Sequence, residues 1–167
     1  METKTPFDEI SSILIHESDI HHQLITSAES MNSCLRSGNH DALGSATLVY
    51  DDLICRLEKV EERRIELCSK ISTTNSLNSG AKLSTLLQFA SDETRTVLEK
   101  ISFDLKELVR KLSAINESNR VLLEESLNAL GASLDMIKES SQQYKGYRHR
   151  GDRKDCTSGI TIFNQVI

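Results

Sequence analysis

Histidine is the residue type in this 167-residue chain that most readily binds a metal or carries a proton, and three of its five histidines lie close together. His16, His21 and His22 fall in one predicted helix. A separation of five residues does not place His16 and His21 on the same side of a helix as a separation of four would, and no second ligand pair follows. We therefore interpret them as part of a solvated helix surface and predict neither a metal site nor a cofactor.

Paired carboxylates are the next candidates for chemistry. Glu61–Glu62 and Glu124–Glu125 lie on predicted helix faces, with no cleft or general acid beside them, and such pairs are typical of solvated surfaces. The chain contains no glycine-rich phosphate loop and no G-x-S-x-G elbow. Arg150–Asp152 matches a short adhesion tripeptide, which we interpret as chance. The sequence thus predicts that the protein is not an enzyme and works by binding.

The cysteines and the amino terminus indicate a compartment. Cys34, Cys55, Cys68 and Cys156 lie far apart, without a C-x-x-C pair. Residues 1–6 lack the basic start and apolar core of a secretory signal, and no apolar run approaches the length of a membrane span. We therefore predict reduced thiols, a cytoplasmic location and no stable membrane insertion.

Composition predicts an all-α protein with an acidic body. The chain has one proline, no tryptophan and 4% aromatic residues, fewer than β-rich domains usually need. Its net charge is −5, yet residues 145–155 hold five Lys/Arg against two Asp, so the remainder carries −8. An acidic body argues against nucleic acid as the main partner.

Two long helices are predicted in the first half, at about 6–36 and 40–72. Thr5 can cap the first, Pro6 suits its first turn, and Gly38 suits the turn that ends it. Apolar residues of the second helix alternate at spacings of three and four, the heptad pattern of coiled coils. Arg64 is the one misfit, and we expect its stem to lie along the seam while its guanidinium reaches solvent or a carboxylate.

A third, much longer helix is predicted at about 81–144, after a polar loop at 72–80. Two points along it are open: Ser91–Glu93 is a candidate fresh N-cap, and 113–119 is weak in helix propensity. We favour continuity at both. The helix carries one apolar stripe made of Val97, Ile101, Leu105, Leu108, Leu112, Ile115, Leu122, Leu123, Leu127, Leu130, Leu134 and Ile137.

These elements predict an antiparallel bundle of long, coiled-coil-like helices in a domain spanning 1–144. A tail at 145–167 is basic at first and apolar at its end, where it either docks on the body or binds something. At 1.5 Å per residue, the first two helices span about 48 Å and the third about 96 Å. Half of the third helix would then project with its leucines exposed. Those leucines either close a core or take up another protein's amphipathic helix.

The C-terminal part of the long helix also resembles a known family. An N-x-x-N-x-x-L-L stretch at 116–123 precedes further heptad-spaced apolar residues, and a tyrosine–glycine segment follows at 144–151. Gly38–Leu43, leading into a helix with Arg63 and Arg64, fits the same pattern. These features resemble the FlgN-type flagellar export chaperones over roughly residues 10–150.

The resemblance implies a function and a site. Such a chaperone binds the terminal amphipathic helices of hook-associated proteins, which form the hook–filament junction, prevents their premature assembly and brings them to the flagellar type III export apparatus. The contact residues implied by position are Asn119, Leu122, Leu123, Leu127, Leu130, Leu134, Ile137, Tyr144 and Tyr147. For Asn116 and Asn119, interhelical hydrogen bonding that fixes register is one hypothesis. We expect a monomer or homodimer, and the alternative function is a structural coiled coil that assembles without a client.

Overall fold

The computed structural model describes residues 5–78 and 81–143, with side chains described up to residue 140. Within these residues the chain forms α1 (Pro6–Ser37), α2 (His40–Thr74), the short α3 (Leu83–Leu86), a 3-10 turn (Leu87–Phe89) and α4 (Asp92–Gln143). No strand occurs in this part of the chain, so the predicted all-α class is confirmed. None of the described helices is both long enough and apolar enough to cross a membrane.

Backbone packing divides the chain into two units, residues 1–127 and 128–167. The first unit holds α1, α2, α3 and the part of α4 up to Leu127. In the second unit, the described residues 128–143 are the helical end of α4, and the side chains at 128–140 are exposed. The predicted domain boundary at 144/145 and the tail at 145–167 lie outside the described residues.

Local signals at both ends of α1 act as predicted. The Thr5 hydroxyl accepts a hydrogen bond from the Asp8 backbone N–H at 3.2 Å, and the Asp8 carboxylate accepts one from the Thr5 N–H at 2.8 Å, which completes a capping box. Gly38 adopts φ +66°, where a Cβ would be strained, and turns the chain into α2. The Asn39 side chain then accepts from the Ala42 N–H. Because so few residues separate them, α1 and α2 pair as neighbours.

The prediction of one helix from 81 onward is wrong at its start. Ala90 is extended, and the Ser91 hydroxyl accepts a hydrogen bond from the Thr94 N–H, so Ser91 caps a new helix. Asp92 and Glu93 place carboxylates in the first turn, where the helix dipole favours them. Residues 83–89 instead form α3 and the 3-10 turn.

Continuation of α4 through residues 113–119 is confirmed. Asparagine usually weakens a helix because its side chain competes for nearby backbone groups. Here Asn116 donates to the Tyr50 hydroxyl at 2.8 Å, and Asn119 donates to the Ala28 carbonyl oxygen at 2.9 Å. Contacts with α2 and α1 thus occupy both side-chain amides and leave the backbone of α4 intact.

Two apolar clusters form the core of the first unit. One lies where the start of α1 meets the end of α2, α3 and the start of α4, and the other lies further along α1, α2 and α4. Leu98 is fully buried in the first cluster, whereas Val97 is exposed, so the predicted stripe begins on the wrong residue. The buried members of the first cluster are Ile10, Leu14, Ile71, Leu86, Leu87 and Leu98, and those of the second are Ile20, Leu24, Ile25, Ala28, Leu53 and Leu112.

A buried ion pair joins α1 to α2 beside this core. The Nε of Arg64 lies 2.7 Å from Oε1 of Glu17, whose side chain is 2% exposed, so the expectation that Arg64 reaches a carboxylate is confirmed. His21 is also buried, with Nδ1 2.8 Å from the Glu17 carbonyl oxygen. His16 and His22 are exposed, as the interpretation of a solvated surface predicts. That interpretation is wrong for His21, because the buried face of α1 is wide enough to include it.

Candidate functional site

The first row of side chains on α4 packs against α1 and α2, and we call it the core seam. Its spacings alternate between three and four residues, as in a left-handed coiled coil. Every member is buried or half-buried. The core seam consists of Leu98, Ile101, Leu105, Leu108, Leu112, Ile115, Asn119 and Leu122.

A second row of apolar side chains begins one residue out of phase with the core seam, and we call it the leucine stripe. It consists of Leu123, Leu127, Leu130, Leu134 and Ile137. The row Asn119–Leu123–Leu127 has two successive spacings of four, a stutter in the heptad pattern. Positions that would extend the core seam carry Ser126, Ala129, Ser133 and Met136. The single stripe predicted from the sequence is therefore two stripes.

The leucine stripe is exposed along its whole length. Leu127, Leu130, Leu134 and Ile137 each keep between 50% and 65% of their surface accessible, and Leu123 keeps 39%. Single exposed leucines are common on proteins, but a row of five at heptad spacing is the surface that an amphipathic helix packs against. Val121 and Met136 are also exposed, but at 3.6 residues per turn they lie on other faces of α4. The arrangement can bind a helix; it places no reactive groups together.

The asparagines before the leucine stripe make interhelical hydrogen bonds. Asn119 is 5% exposed, and besides donating to Ala28 it accepts a hydrogen bond from the Asn32 side-chain amide at 2.7 Å. With the Asn116–Tyr50 bond, these contacts confirm the hypothesis that the pair bonds across helices. Buried amides of this kind fix one alignment of neighbouring helices, because a shifted alignment would leave them without partners.

Charged side chains border the start of the leucine stripe. Arg120 bonds Glu117, with Nη2 2.7 Å from Oε1, and it also contacts Glu124. The Arg120 hydrogen bond and charge hold the pKa of the Glu117 carboxyl below its usual value, and the two carboxylates raise the pKa of Arg120. Glu117 and Arg120 therefore remain ionised at neutral pH. Further along, Lys138 Nζ lies 3.4 Å from Asp135 Oδ1.

The structure distributes the predicted contact residues among three settings. Leu123, Leu127, Leu130, Leu134 and Ile137 share the exposed leucine stripe. Leu122 and Asn119 belong to the core seam, and Asn119 is occupied by α1. Tyr144 and Tyr147 lie outside the described residues.

Sequence reasoning missed Glu17 and His21 as buried polar residues. For Glu17 a signal existed: its spacings from Ile13, Leu14 and Ile20 put it on the apolar face of α1. Among the described residues, no group of three or more His, Cys, Asp or Glu side chains is placed to hold a metal ion.

Comparisons with known proteins cover most of the chain. The family model described as FlgN protein matches residues 1–155. The "Uncharacterized protein YvyG" of Bacillus subtilis (strain 168) is 24% identical over 127 residues, which cover 75% of this chain and 78% of that protein. No solved structure matches. Because the family model matches nearly the whole chain, this protein belongs to the FlgN family, a family of flagellar export chaperones.

Proposed function

We propose that this protein is a cytoplasmic chaperone that binds the terminal amphipathic helices of flagellar hook-associated proteins along the leucine stripe. Binding prevents their premature assembly and delivers them to the export apparatus. The exposed leucine stripe on α4, in a chain of this family, is the observation that carries the proposal. The mechanism is burial of apolar surface, without catalysis or a cofactor.

The geometry of the leucine stripe suits a helical client. From Leu123 to Ile137 the axial rise is about 21 Å at 1.5 Å per residue, or about four turns of helix. A client helix with apolar residues at the same spacings places its side chains between those of the stripe. The client's own apolar face is covered in the same step, so it cannot pair with other subunits.

The expected affinity follows from the buried surface. Full burial of a leucine or isoleucine side chain contributes about 1.5–3 kcal/mol, so five side chains that are roughly half exposed contribute about 5 kcal/mol. The client's apolar face contributes a similar amount. Ordering the client helix costs about 2–5 kcal/mol, with a further cost for association itself. Before the association cost, the balance of about 5–8 kcal/mol corresponds to dissociation constants of roughly 1–200 μM, and the association cost weakens binding further.

Leu130→Asp tests this proposal. We expect it to weaken binding of a purified hook-associated protein by roughly 100-fold, because a carboxylate in the middle of the contact is desolvated without a partner. Titration calorimetry measures the binding, and circular dichroism checks that the helices persist. Val97→Asp is the matched control, since Val97 is an exposed apolar residue of α4 outside the leucine stripe.

Two results contradict the proposal. Normal binding by a helical Leu130→Asp chain means that the leucine stripe is not the site. Loss of helical structure in that variant alone means that Leu130 closes a core. The competing function, a structural coiled coil without a client, is favoured by the heptad spacing of the leucine stripe. Stable self-assembly together with no binding of hook-associated proteins would support it.

A further inference from the structure

We propose that the leucine stripe also binds a second copy of this chain, with the two α4 helices packed antiparallel. In this pairing Leu127 lies opposite Ile137 of the second copy, and Leu130 lies opposite Leu134. The inference concerns the free chaperone and does not require a client. Only its consequence, that self-association competes with client binding, rests on the proposed function.

The heptad positions of the leucine stripe define what lies beside it. Leu127 and Leu134 take the a positions, and Leu123, Leu130 and Ile137 take the d positions. On one side, the e positions are Glu124, Gly131 and Lys138. On the other side, the g positions are Ser126, Ser133 and Ser140, whose hydroxyls bond carbonyl oxygens of α4 itself. All of these flanking residues are exposed.

Charge complementarity selects the antiparallel register. In an antiparallel coiled coil, e positions face e positions and g positions face g positions. With Leu127 opposite Ile137, Glu124 faces Lys138 of the second copy. Because the dimer has two-fold symmetry, this ion pair occurs twice. The small, neutral serines face one another on the opposite side. Within one chain Glu124 contacts Arg120 and Lys138 contacts Asp135, but these are exposed surface pairs that an additional partner can share.

Other arrangements of two copies lack these ion pairs. A parallel pair sets Ser133 against Lys138 and Ser126 against Gly131. An antiparallel pair shifted by one heptad sets Glu124 against Gly131. Only the proposed register pairs both charged e positions.

Gly131 supplies a second, independent observation. It lies in the interior of α4, where glycine costs roughly 1 kcal/mol relative to alanine. A Cβ at this position would meet nothing within 4 Å, so packing within the chain does not require glycine there. In the proposed dimer, Gly131 faces Gly131 of the second copy at the centre of the contact. The absence of a side chain there allows the two helices to approach closely.

Charge exchange tests the pairing by sedimentation equilibrium of the purified full chain at low salt. We expect a concentration-dependent dimer. Lys138→Glu alone and Glu124→Lys alone should each raise its dissociation constant roughly tenfold, because two attractions become two repulsions. The double variant Glu124→Lys with Lys138→Glu should restore the dimer. Glu125→Lys, the same charge change on the face opposite the leucine stripe, should leave it within about twofold.

Several results overturn the proposal. A wild-type chain that stays monomeric at every concentration overturns it. If a chain without residues 160–167 then forms a dimer, those residues occupy the leucine stripe in the full chain. A dimer that survives Leu130→Asp lies elsewhere on the surface. Failure of the double variant to restore the dimer excludes this register. Titration of the Lys138→Glu variant with a hook-associated protein separates the two proposals. If the wild-type chain forms no dimer but this variant binds the client normally, the dimer is excluded and the proposed function stands.

Discussion

Replacing Arg64 by methionine should destabilise this protein far more than replacing Arg63 by methionine, although each arginine pairs with a glutamate of α1. Arg64 lies 2.7 Å from Glu17, and Arg63 lies 2.8 Å from Glu9. The two pairs differ in burial. The side chains of Arg64 and Glu17 are 28% and 2% exposed, whereas those of Arg63 and Glu9 are 67% and 41% exposed.

The expected magnitude follows from what each substitution leaves behind. Arg64→Met leaves the Glu17 carboxylate buried without a cation, a change that costs about 3–5 kcal/mol in comparable buried pairs. Since Arg64 is partly exposed and water can approach from its side, we expect about 3 kcal/mol. Arg63→Met leaves Glu9 hydrated and should cost about 0–1 kcal/mol. Removing both buried charges with Glu17→Met and Arg64→Met should bring stability back to within about 1 kcal/mol of wild type.

Urea unfolding followed by circular dichroism measures these differences, with unchanged m-values showing that the unfolding reaction is the same. The 3 kcal/mol loss corresponds to a fall in melting temperature of roughly 10 °C for a domain of this size. Equal losses in Arg64→Met and Arg63→Met would refute the reasoning, because burial would then not decide the cost. A double variant as unstable as Arg64→Met would refute the claim that the uncompensated charge is the cause.

Two further predictions concern other buried groups. Asn119→Ala should lower the free energy of unfolding by roughly 1–3 kcal/mol, because the Ala28 carbonyl oxygen loses the Asn119 donor and the Asn32 amide keeps only its 3.2 Å bond to the Ser118 hydroxyl. Urea unfolding beside the exposed control Asn128→Ala measures this loss, and equal losses in the two variants would contradict the role of Asn119. Burial raises the pKa of the Cys68 thiol, so less of the reactive thiolate forms at a given pH. Iodoacetamide should therefore label Cys68 more slowly than the exposed Cys55, and labelling of Cys68 should speed up only at higher pH. Peptide mass spectrometry separates the two cysteines, and equal rates at pH 8 would contradict this prediction.

Predictions from the sequence succeeded where a local signal decides the structure. Thr5, Pro6 and Gly38 act within one turn of the chain, so the bounds of α1 can be read directly. The expectation for Arg64 also succeeded, because a long cationic side chain on an apolar seam must find water or a carboxylate. The prediction failed at Ser91, where two local signals compete: the serine can cap a new helix or lie on the surface of a continuous one.

The face of each α4 residue required the tertiary structure. Leu122 and Leu123 are adjacent leucines with the same propensities, yet the first is half-buried and the second lies on the exposed leucine stripe. The change of phase at Asn119 is visible only once the contacts of Asn119 with α1 are known. In the sequence, the core seam and the leucine stripe both appear as apolar residues at spacings of three and four, so the spacing alone does not distinguish them.

The sequence by itself determined that this chain is helical, where α1 and α2 begin and end, and that α4 carries more apolar surface than a solvated helix needs. Those properties depend on backbone propensity, capping and periodicity, which act over a few residues. The tertiary structure decided which of those apolar residues are covered. Burial depends on which helices lie beside each face, and α1 and α2 cover the core seam as far as Asn119 while the leucine stripe remains exposed.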